Sequence, residues 1–283
     1  MTATMTAPGP VLVGVDGSAH NASAVAWAAA EASASAGIAP LVLVHDTQTT
    51  GQAPGRAILD RASADAARID SRLRPGADLV SGGPAHTLLV SAHTWERALG
   101  REGGTALVVI GRRGEGGHQR INLGRTARTL IHQDGPTLVV VPDDWAPGQV
   151  PADAPVVIDL GAVGHDNGQS GSVLAFALAR ALRSGRPALA VASWSVPVSA
   201  ASQERSIPAV WTEHAELAEQ ALEQLLAPWR RLYPGVLLTG LATDRSPVLA
   251  LLAHGEGAEL LVMRRGPRAS AVVEYADGPV AVV

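Results

Sequence analysis

Short apolar runs alternate with alanine-rich amphipathic stretches along the whole chain. In the first half, four such runs lie at residues 11–13, 41–44, 106–110 and 138–141. Runs of this length, bounded by Gly, Pro and Asp, predict buried strands, and the stretches between them predict helices. Strands that alternate with helices are typical of βα units with a parallel sheet. The pattern therefore predicts an α/β fold with helices on both faces of the sheet.

The order of these elements repeats in the second half. The matching apolar segments are 11–13 with 156–158, 41–44 with 188–191, 107–110 with 260–263, and 135–140 with 278–283. Residues 143–154 are rich in Pro and Asp, a composition typical of a linker. We therefore predict two domains, 1–142 and 155–283, joined by the linker 143–154; about 140 residues is a common domain size.

The longest predicted helix covers residues 213–232. Apolar side chains recur there at every fourth position, at Leu217, Ala221, Leu225 and Trp229. A stripe of this kind indicates a face packed in the core rather than a ligand site. At the start of the first helix, Ser18 or Asn21 is the predicted N-cap.

Composition excludes several classes of function. The chain has 47% hydrophobic and 17% charged residues, a formal net charge of −4 and no cysteine. The absence of a basic stripe argues against a nucleic-acid partner, and the absence of cysteine excludes disulfides and thiol chemistry. Residues 1–10 lack a signal pattern, and no segment reaches the roughly 18 apolar residues of a membrane helix. We expect a cytoplasmic protein without a membrane partner.

A spaced set of glycines follows the third apolar run. Gly111-Arg112-Arg113-Gly114 comes directly after the predicted strand 106–110, and Gly124 follows after nine further residues, before a short predicted helix at 126–131. Glycine lets the backbone approach a ligand closely, and a helix N-terminus attracts anions. The pattern predicts a phosphate site. Four arginines near this loop favour polyphosphate: Arg112, Arg113, Arg120 and Arg125.

The first strand ends in Val15-Asp16-Gly17-Ser18. Together with the Gly-x2-Gly-x9-Gly spacing, this resembles the universal stress protein family, over nearly the whole chain and as two tandem copies. The resemblance implies two flavodoxin-like (Rossmann-like) domains, each a five-stranded parallel sheet of order 3-2-1-4-5, paired through their last strands. It implies that the acid matching Asp16 faces a ribose and that the glycine loop wraps the phosphates. The implied nucleotide-binding positions are Gly14, Val15, Asp16, Asp46, Ile110, Gly111, Arg113, Gly114, Gly124, Arg125 and Thr126.

Two of these positions depart from the family pattern. The family has Ser or Thr after the last glycine, where this chain has Arg125; its side chain either pairs with phosphate or points to solvent, with Thr126 as a substitute hydroxyl. Asp46 stands where the family has a small apolar residue against adenine. A carboxylate there needs a donor, for instance the exocyclic amine of the base.

The second copy lacks most of the loop. Twenty-five residues separate Ile110 from Pro136, but only fifteen separate Met263 from Pro279. The segment that remains keeps Arg264-Arg265-Gly266 but has no distal glycine. Its first strand ends in Asp159-Leu160-Gly161, so no acid stands in the place of Asp16. We expect no nucleotide in this copy.

The resemblance favours a stress-linked regulatory protein that binds ATP, with or without Mg, or another adenine nucleotide in its first domain. No general base is identifiable, so any hydrolysis is expected to be slow. Two alternatives stay open: a nucleotide-free scaffold that acts through protein–protein contacts, and an enzyme of adenylyl or phosphoryl transfer. A homodimer also stays open. Neither the adjacent Asp16, Ser18 and His20 nor the pair His86 and His93 is sufficient to predict a catalytic triad or a metal site.

Overall fold

The structure, a computed structural model, describes residues 9–35, 38–48, 50–100, 105–114, 123–163, 170–196 and 207–283. Contacts divide the chain into two compact units. One contains the first copy together with Arg265–Val283, and the other contains Pro151–Arg264. Within the described residues, no helix combines the length and apolar character needed to cross a membrane.

The unit built on the first copy has a parallel sheet in the order β3-β2-β1-β4-β5. Its strands are β1 (Val11–Gly14), β2 (Leu41–Asp46), β3 (Gly76–Val80), β4 (Leu107–Gly111) and β5 (Thr137–Val141). Its helices are α1 (Ala22–Ala34), α2 (Gln52–Ile69), α3 (Pro84–Ala98) and α4 (Arg125–His132). This confirms the predicted flavodoxin-like order. The direction of the connections reverses between β1 and β4, whose carboxyl ends lie side by side.

The central strands are apolar on both faces because helices cover both sides of the sheet. Leu12, Val13, Val109 and Val139 are fully buried. This continuous burial explains why runs without polar alternation form strands here.

The last strand of the chain also belongs to this unit. Strand β10 (Val280–Val282) follows a short helix and pairs antiparallel with β5, with Ala281 opposite Val139. The last strands of the two copies therefore pair, as the resemblance implied.

The other unit repeats the arrangement with four parallel strands in the order β8-β7-β6-β9. They are β6 (Val156–Ala162), β7 (Ala188–Ser193), β8 (Leu238–Thr243) and β9 (Leu260–Met263). The helices are α5 (Ser170–Ser184), α6 (Ile207–Leu232) and α7 (Pro247–Gly255). The short helix α8 (Ala269–Tyr275), which precedes β10, belongs to the unit of the first copy. Val156 is aligned with Leu260 as Val11 is with Leu107.

The core stripe predicted for the longest helix is wrong. Leu217 is 54% exposed, and the buried residues of α6 lie one position further along the chain, at Ala218, Leu222 and Leu226. Both rows have a spacing of four, so each forms a continuous apolar stripe on a helix. The row Ala218, Leu222 and Leu226 packs against the sheet, whereas the row that begins at Leu217 lies at the edge of that contact.

Candidate functional site

Asn21 organises the turn that leaves β1. Its Nδ2 donates to the carbonyl of Gly14 at 2.8 Å, and its Oδ1 accepts the N–H of Asp16 at 2.6 Å. Asp16 Oδ1 accepts the N–H of Ser18 at 2.9 Å, which closes the turn. The predicted capping role is therefore wrong: neither Ser18 nor Asn21 makes a side-chain cap bond, because Asn21 turns back toward the strand.

His45 supports the same turn from the neighbouring strand. Its Nδ1 donates to the carbonyl of Val15 at 2.6 Å, and its Nε2 lies 2.8 Å from Thr50 Oγ1. The ring is 3% exposed. Val15 also donates its N–H to the carbonyl of Val44. The backbone of Val15, just before Asp16, is therefore held through both its N–H and its carbonyl group.

The glycines of the loop lie close to the β1 turn and to one another. A Cβ built on Gly114 would lie 2.7 Å from Asp16 Oδ2, and one on Gly111 would lie 3.3 Å from the carbonyl oxygen of His20. Gly124 donates its N–H to the Arg112 carbonyl at 2.8 Å. Its φ is −64°, so close approach rather than an unusual backbone conformation makes glycine necessary.

Two of the four arginines predicted to concentrate around the loop pair with acceptors outside it. Arg112 Nη1 donates to the carbonyls of Glu274 and Ala276, at 3.3 and 2.8 Å. Arg113 Nε donates to Asp143 Oδ2 at 2.5 Å. Arg125 is exposed at the start of α4. Arg120 lies outside the described residues. A long side chain pairs with acceptors that lie near it in space. The acceptors of Arg112 and Arg113 are distant from these residues in sequence.

Asp143, just after β5, pairs with both Arg113 and His20. Its Oδ2 also lies 3.1 Å from His20 Nδ1, and its carbonyl accepts the Ser23 hydroxyl at 2.7 Å. The Asp143 side chain is only 10% exposed. Asp143 Oδ1 is buried without a hydrogen-bond partner in the described part of the chain. Since His20 lies against Asp143, the described contacts form no Asp16–Ser18–His20 triad.

The N-terminus of α4 opens directly after the last glycine. Arg128 makes the first intrahelical bond, donating to the Gly124 carbonyl at 3.0 Å. In a helix the N–H groups before that bond lack intrahelical acceptors and carry the positive end of the dipole. Thr126 is half-buried in this turn, and the N-cap residue, Gly124, has no side chain with which to cap it.

Asp46 lies one strand away from this cluster, at the end of β2. Its Oδ1 accepts the N–H groups of Gln48 and Gly82, at 3.2 and 3.3 Å. The carboxylate that departs from the family pattern thus ties the β2 end to the loop after β3.

A cavity of about 340 Å³ lies beside the β1–α1 turn. Its lining comes from that turn, α1 and α2, and it includes no described residue of the glycine loop: Val15, Gly17, Ser18, Ala19, Asn21, Ala22, Val25, Ile58, Arg61, Ala62 and Asp65. The hydroxyl of Ser18 is buried without a hydrogen-bond partner among the described residues.

The predicted positions thus form one central cluster and several outlying residues. Asp16, Gly111, Gly114 and Gly124 are brought together beyond the ends of β1 and β4. Gly14 and Val15 form the backbone beneath them, and Ile110 is buried in β4.

Three residues with a structural part in the site were missed: Asn21, His45 and Asp143. A polar residue inside the apolar run of β2 is a signal that could have identified His45. Asp143, assigned to the linker, gave no such signal.

By position along the described strands, a glycine of the second copy corresponds to Asp16. The strand registers align Gly161 with Asp16, and Gly161 has φ +70°. Asp159, 5% exposed, takes the place of Gly14 and accepts the N–H of Gly161 at 2.8 Å. Within the described residues no group of three or more His, Cys, Asp or Glu side chains could hold a metal ion.

Comparisons with known proteins agree with this architecture. The family model described as "Universal stress protein family" matches residues 9–142. A universal stress protein of Mycolicibacterium smegmatis is 30% identical over 299 residues, covering 96% of each chain. One from Mycobacterium tuberculosis is 29% identical over 266 residues, covering 89% of this chain and 85% of the relative.

A solved structure shares the fold at low identity. The crystal structure of a universal stress protein from Archaeoglobus fulgidus DSM 4304 has a TM-score of 0.65 and 12% identity, covering 98% of this chain and 96% of the other. The similarity thus extends over both copies. The chain belongs to the universal stress protein family, as a tandem two-domain member.

Proposed function

We propose that the first copy binds an adenine nucleotide, ATP or a relative of it, and that the protein acts as a regulator. One observation carries this proposal: the Asp16 carboxylate and the Gly114 backbone lie against each other beyond the carboxyl ends of β1 and β4. Ligands of open α/β sheets bind at such a reversal of connections.

Each part of the nucleotide has a proposed partner. Asp16 is the acceptor for a ribose hydroxyl. The N–H groups at the start of α4 and the exposed Arg125 side chain receive the phosphates, because both carry positive charge at the same end of the helix. Asp46 accepts the exocyclic amine of adenine through the carboxylate oxygen that does not hold Gln48 and Gly82.

Arg113 has a smaller part in this proposal than the family resemblance implied. Its side chain is 29% exposed, and its Nε pairs with the nearly buried Asp143. A move of the whole guanidinium to phosphate would take Nε away from Asp143 and leave a buried carboxylate with one partner fewer, which is costly. The proposed phosphate contacts therefore come from α4 and Arg125.

The contacts of Arg112 and Arg113 also favour a second function. Because Arg112 and Arg113 are turned to protein acceptors, the loop offers phosphate fewer cations than its sequence predicts. A nucleotide-free scaffold that acts through protein–protein contacts is the alternative. Failure to bind any adenine nucleotide at millimolar concentration would select it.

Titration calorimetry with ATP, with and without Mg²⁺, tests the proposal. We expect about one site per chain, because Gly161 replaces the acid and the loop is shortened in the second copy. A stoichiometry of two would contradict the assignment to the first copy. Mass spectrometry of ligands released from freshly purified protein identifies the nucleotide independently.

A further inference from the structure

Arg265 binds the carboxyl-terminal end of α4. Its Nη1 donates to the carbonyls of Leu130 and Gln133, at 2.6 and 2.8 Å. Its Nη2 donates to the carbonyl of Gly135 at 3.5 Å and also to that of Pro136. One guanidinium therefore gathers four carbonyls at the point where α4 ends and β5 begins. Arg265 belongs to the same compact unit as α4.

Arg112, in the first copy, makes the corresponding contact with the last helix of the second copy. Because Leu107 and Leu260 occupy equivalent register positions, Arg112 and Arg265 are equivalent residues of the two copies. Arg112 donates to the carbonyls of Glu274 and Ala276, at the end of α8. Each copy thus provides an arginine that caps the last helix of the other. The remnant loop of the second copy, Arg264-Arg265-Gly266, retains this part.

The position of α4 depends on such contacts. The helix has eight residues, too few to be stable in isolation. A cation at a helix C-terminus interacts favourably with the dipole and with the last carbonyls. Burial lowers the pKa of the Arg265 guanidinium from its ordinary value, in accord with a desolvated position. The Ser270 hydroxyl, 3.0 Å from His132 Nε2, adds a second contact to the same end.

We propose that Arg265 is a positioning residue for the nucleotide site of the first copy. It holds α4 from its carboxyl end, so that the N–H groups at the opposite end face the phosphates. The remnant loop of the second copy therefore supports phosphate binding in the first without touching the ligand. This inference rests on the proposed function, because α4 is the element to which the phosphates are assigned.

The test compares Arg265→Ala with Arg186→Ala. Arg186 is the matched control, since its Nη1 also donates to two loop carbonyls, those of Pro151 and Ala154, but in the other unit. We expect Arg265→Ala to weaken ATP by about fivefold to thirtyfold and to leave adenosine within about twofold. Arg186→Ala should change neither affinity. Arg265→Lys, which keeps the charge but has no planar fork, should fall between wild type and Arg265→Ala.

Hydrogen exchange of residues 125–132 provides a readout that needs no ligand. We expect faster exchange in Arg265→Ala and unchanged exchange in Arg186→Ala. Ser270→Ala, the milder variant, should accelerate exchange less, and it remains informative if Arg265→Ala does not fold.

Three results would overturn parts of this account separately. Unchanged ATP affinity in a folded Arg265→Ala variant, or an equal loss of ATP and adenosine, refutes the positioning role. Unchanged exchange in residues 125–132 refutes the capping of α4. If wild-type protein binds neither ATP nor adenosine, the proposed function fails and the positioning role with it, whereas faster exchange in Arg265→Ala still supports the cap.

Discussion

Gly114→Ala tests the contact on which the proposed nucleotide site depends. A Cβ at this position would lie 2.7 Å from Asp16 Oδ2, closer than a carbon and an oxygen can approach without a shift. A shift of the carboxylate would strain the hydrogen bond that its Oδ1 accepts from the N–H of Ser18 at 2.9 Å. Overpacking of this kind costs about 1–3 kcal/mol of folding free energy. We expect that loss in the variant.

The same displacement should weaken nucleotide binding. A hydrogen bond to a charged group contributes about 1.5–3 kcal/mol, so misplacing the Asp16 carboxylate should reduce ATP affinity by about tenfold to a hundredfold. Calorimetry measures this affinity, and thermal unfolding measures the stability. Gly171→Ala is the control, because among the described residues no atom beyond its chain neighbours and its own helix backbone lies within 4 Å of a Cβ built at that position. Both quantities should stay near wild type in that variant.

A double-mutant cycle separates the clash from any other effect of the methyl group. In an Asp16→Ala background the carboxylate is absent, so Gly114→Ala should no longer destabilise the fold. An equal stability loss in both backgrounds would refute the clash. Wild-type ATP affinity in a folded Gly114→Ala variant would refute the role of this contact in binding.

Three further predictions concern individual side chains. Arg125→Ala should weaken ATP about twofold to thirtyfold, AMP less, and both less at high salt; tighter ATP binding would show an obstruction instead. Leu226→Ala should cost about 2–5 kcal/mol in urea unfolding, whereas Leu217→Ala, at 54% exposure, should stay within about 0.5 kcal/mol; equal losses would contradict the observed core row. Asp143→Asn should lower stability by about 1–3 kcal/mol, because Arg113 loses its charged partner; an unchanged melting temperature would contradict this.

The strands and their order follow from the sequence because their burial is continuous. Residues of β1, β4 and β5 are covered on both faces, so each apolar run predicts a strand without reference to its partners. The glycine spacing predicts the close approach of loop and turn for a similar reason: three glycines at strand and helix ends permit backbone contact, and Gly124 and Gly114 are found close together.

Side-chain direction does not follow from the same information. Arg112, Arg113 and Arg125 are near one another in the chain, which predicts a single basic cluster. The side chains of Arg112 and Arg113 instead pair with acceptors that are distant in sequence. The carbonyl of Ala276 is 164 positions from Arg112, and Asp143 is 30 positions from Arg113. In α6, likewise, two apolar rows satisfy the helical period equally, and only packing against the sheet selects one.

The pairing of β5 with β10 gives a physical reason why the second copy keeps part of its loop. Because β10 lies beside β5, the segment that leads into β10 passes the end of α4, where Arg265 binds. A shortened connection can omit a phosphate cradle, which serves only a ligand, without disturbing the first unit. It cannot omit Arg265 without leaving the carbonyls of Leu130, Gln133 and Pro136 without this donor. The remnant loop therefore has a structural role in the first copy, even though we expect no nucleotide in its own.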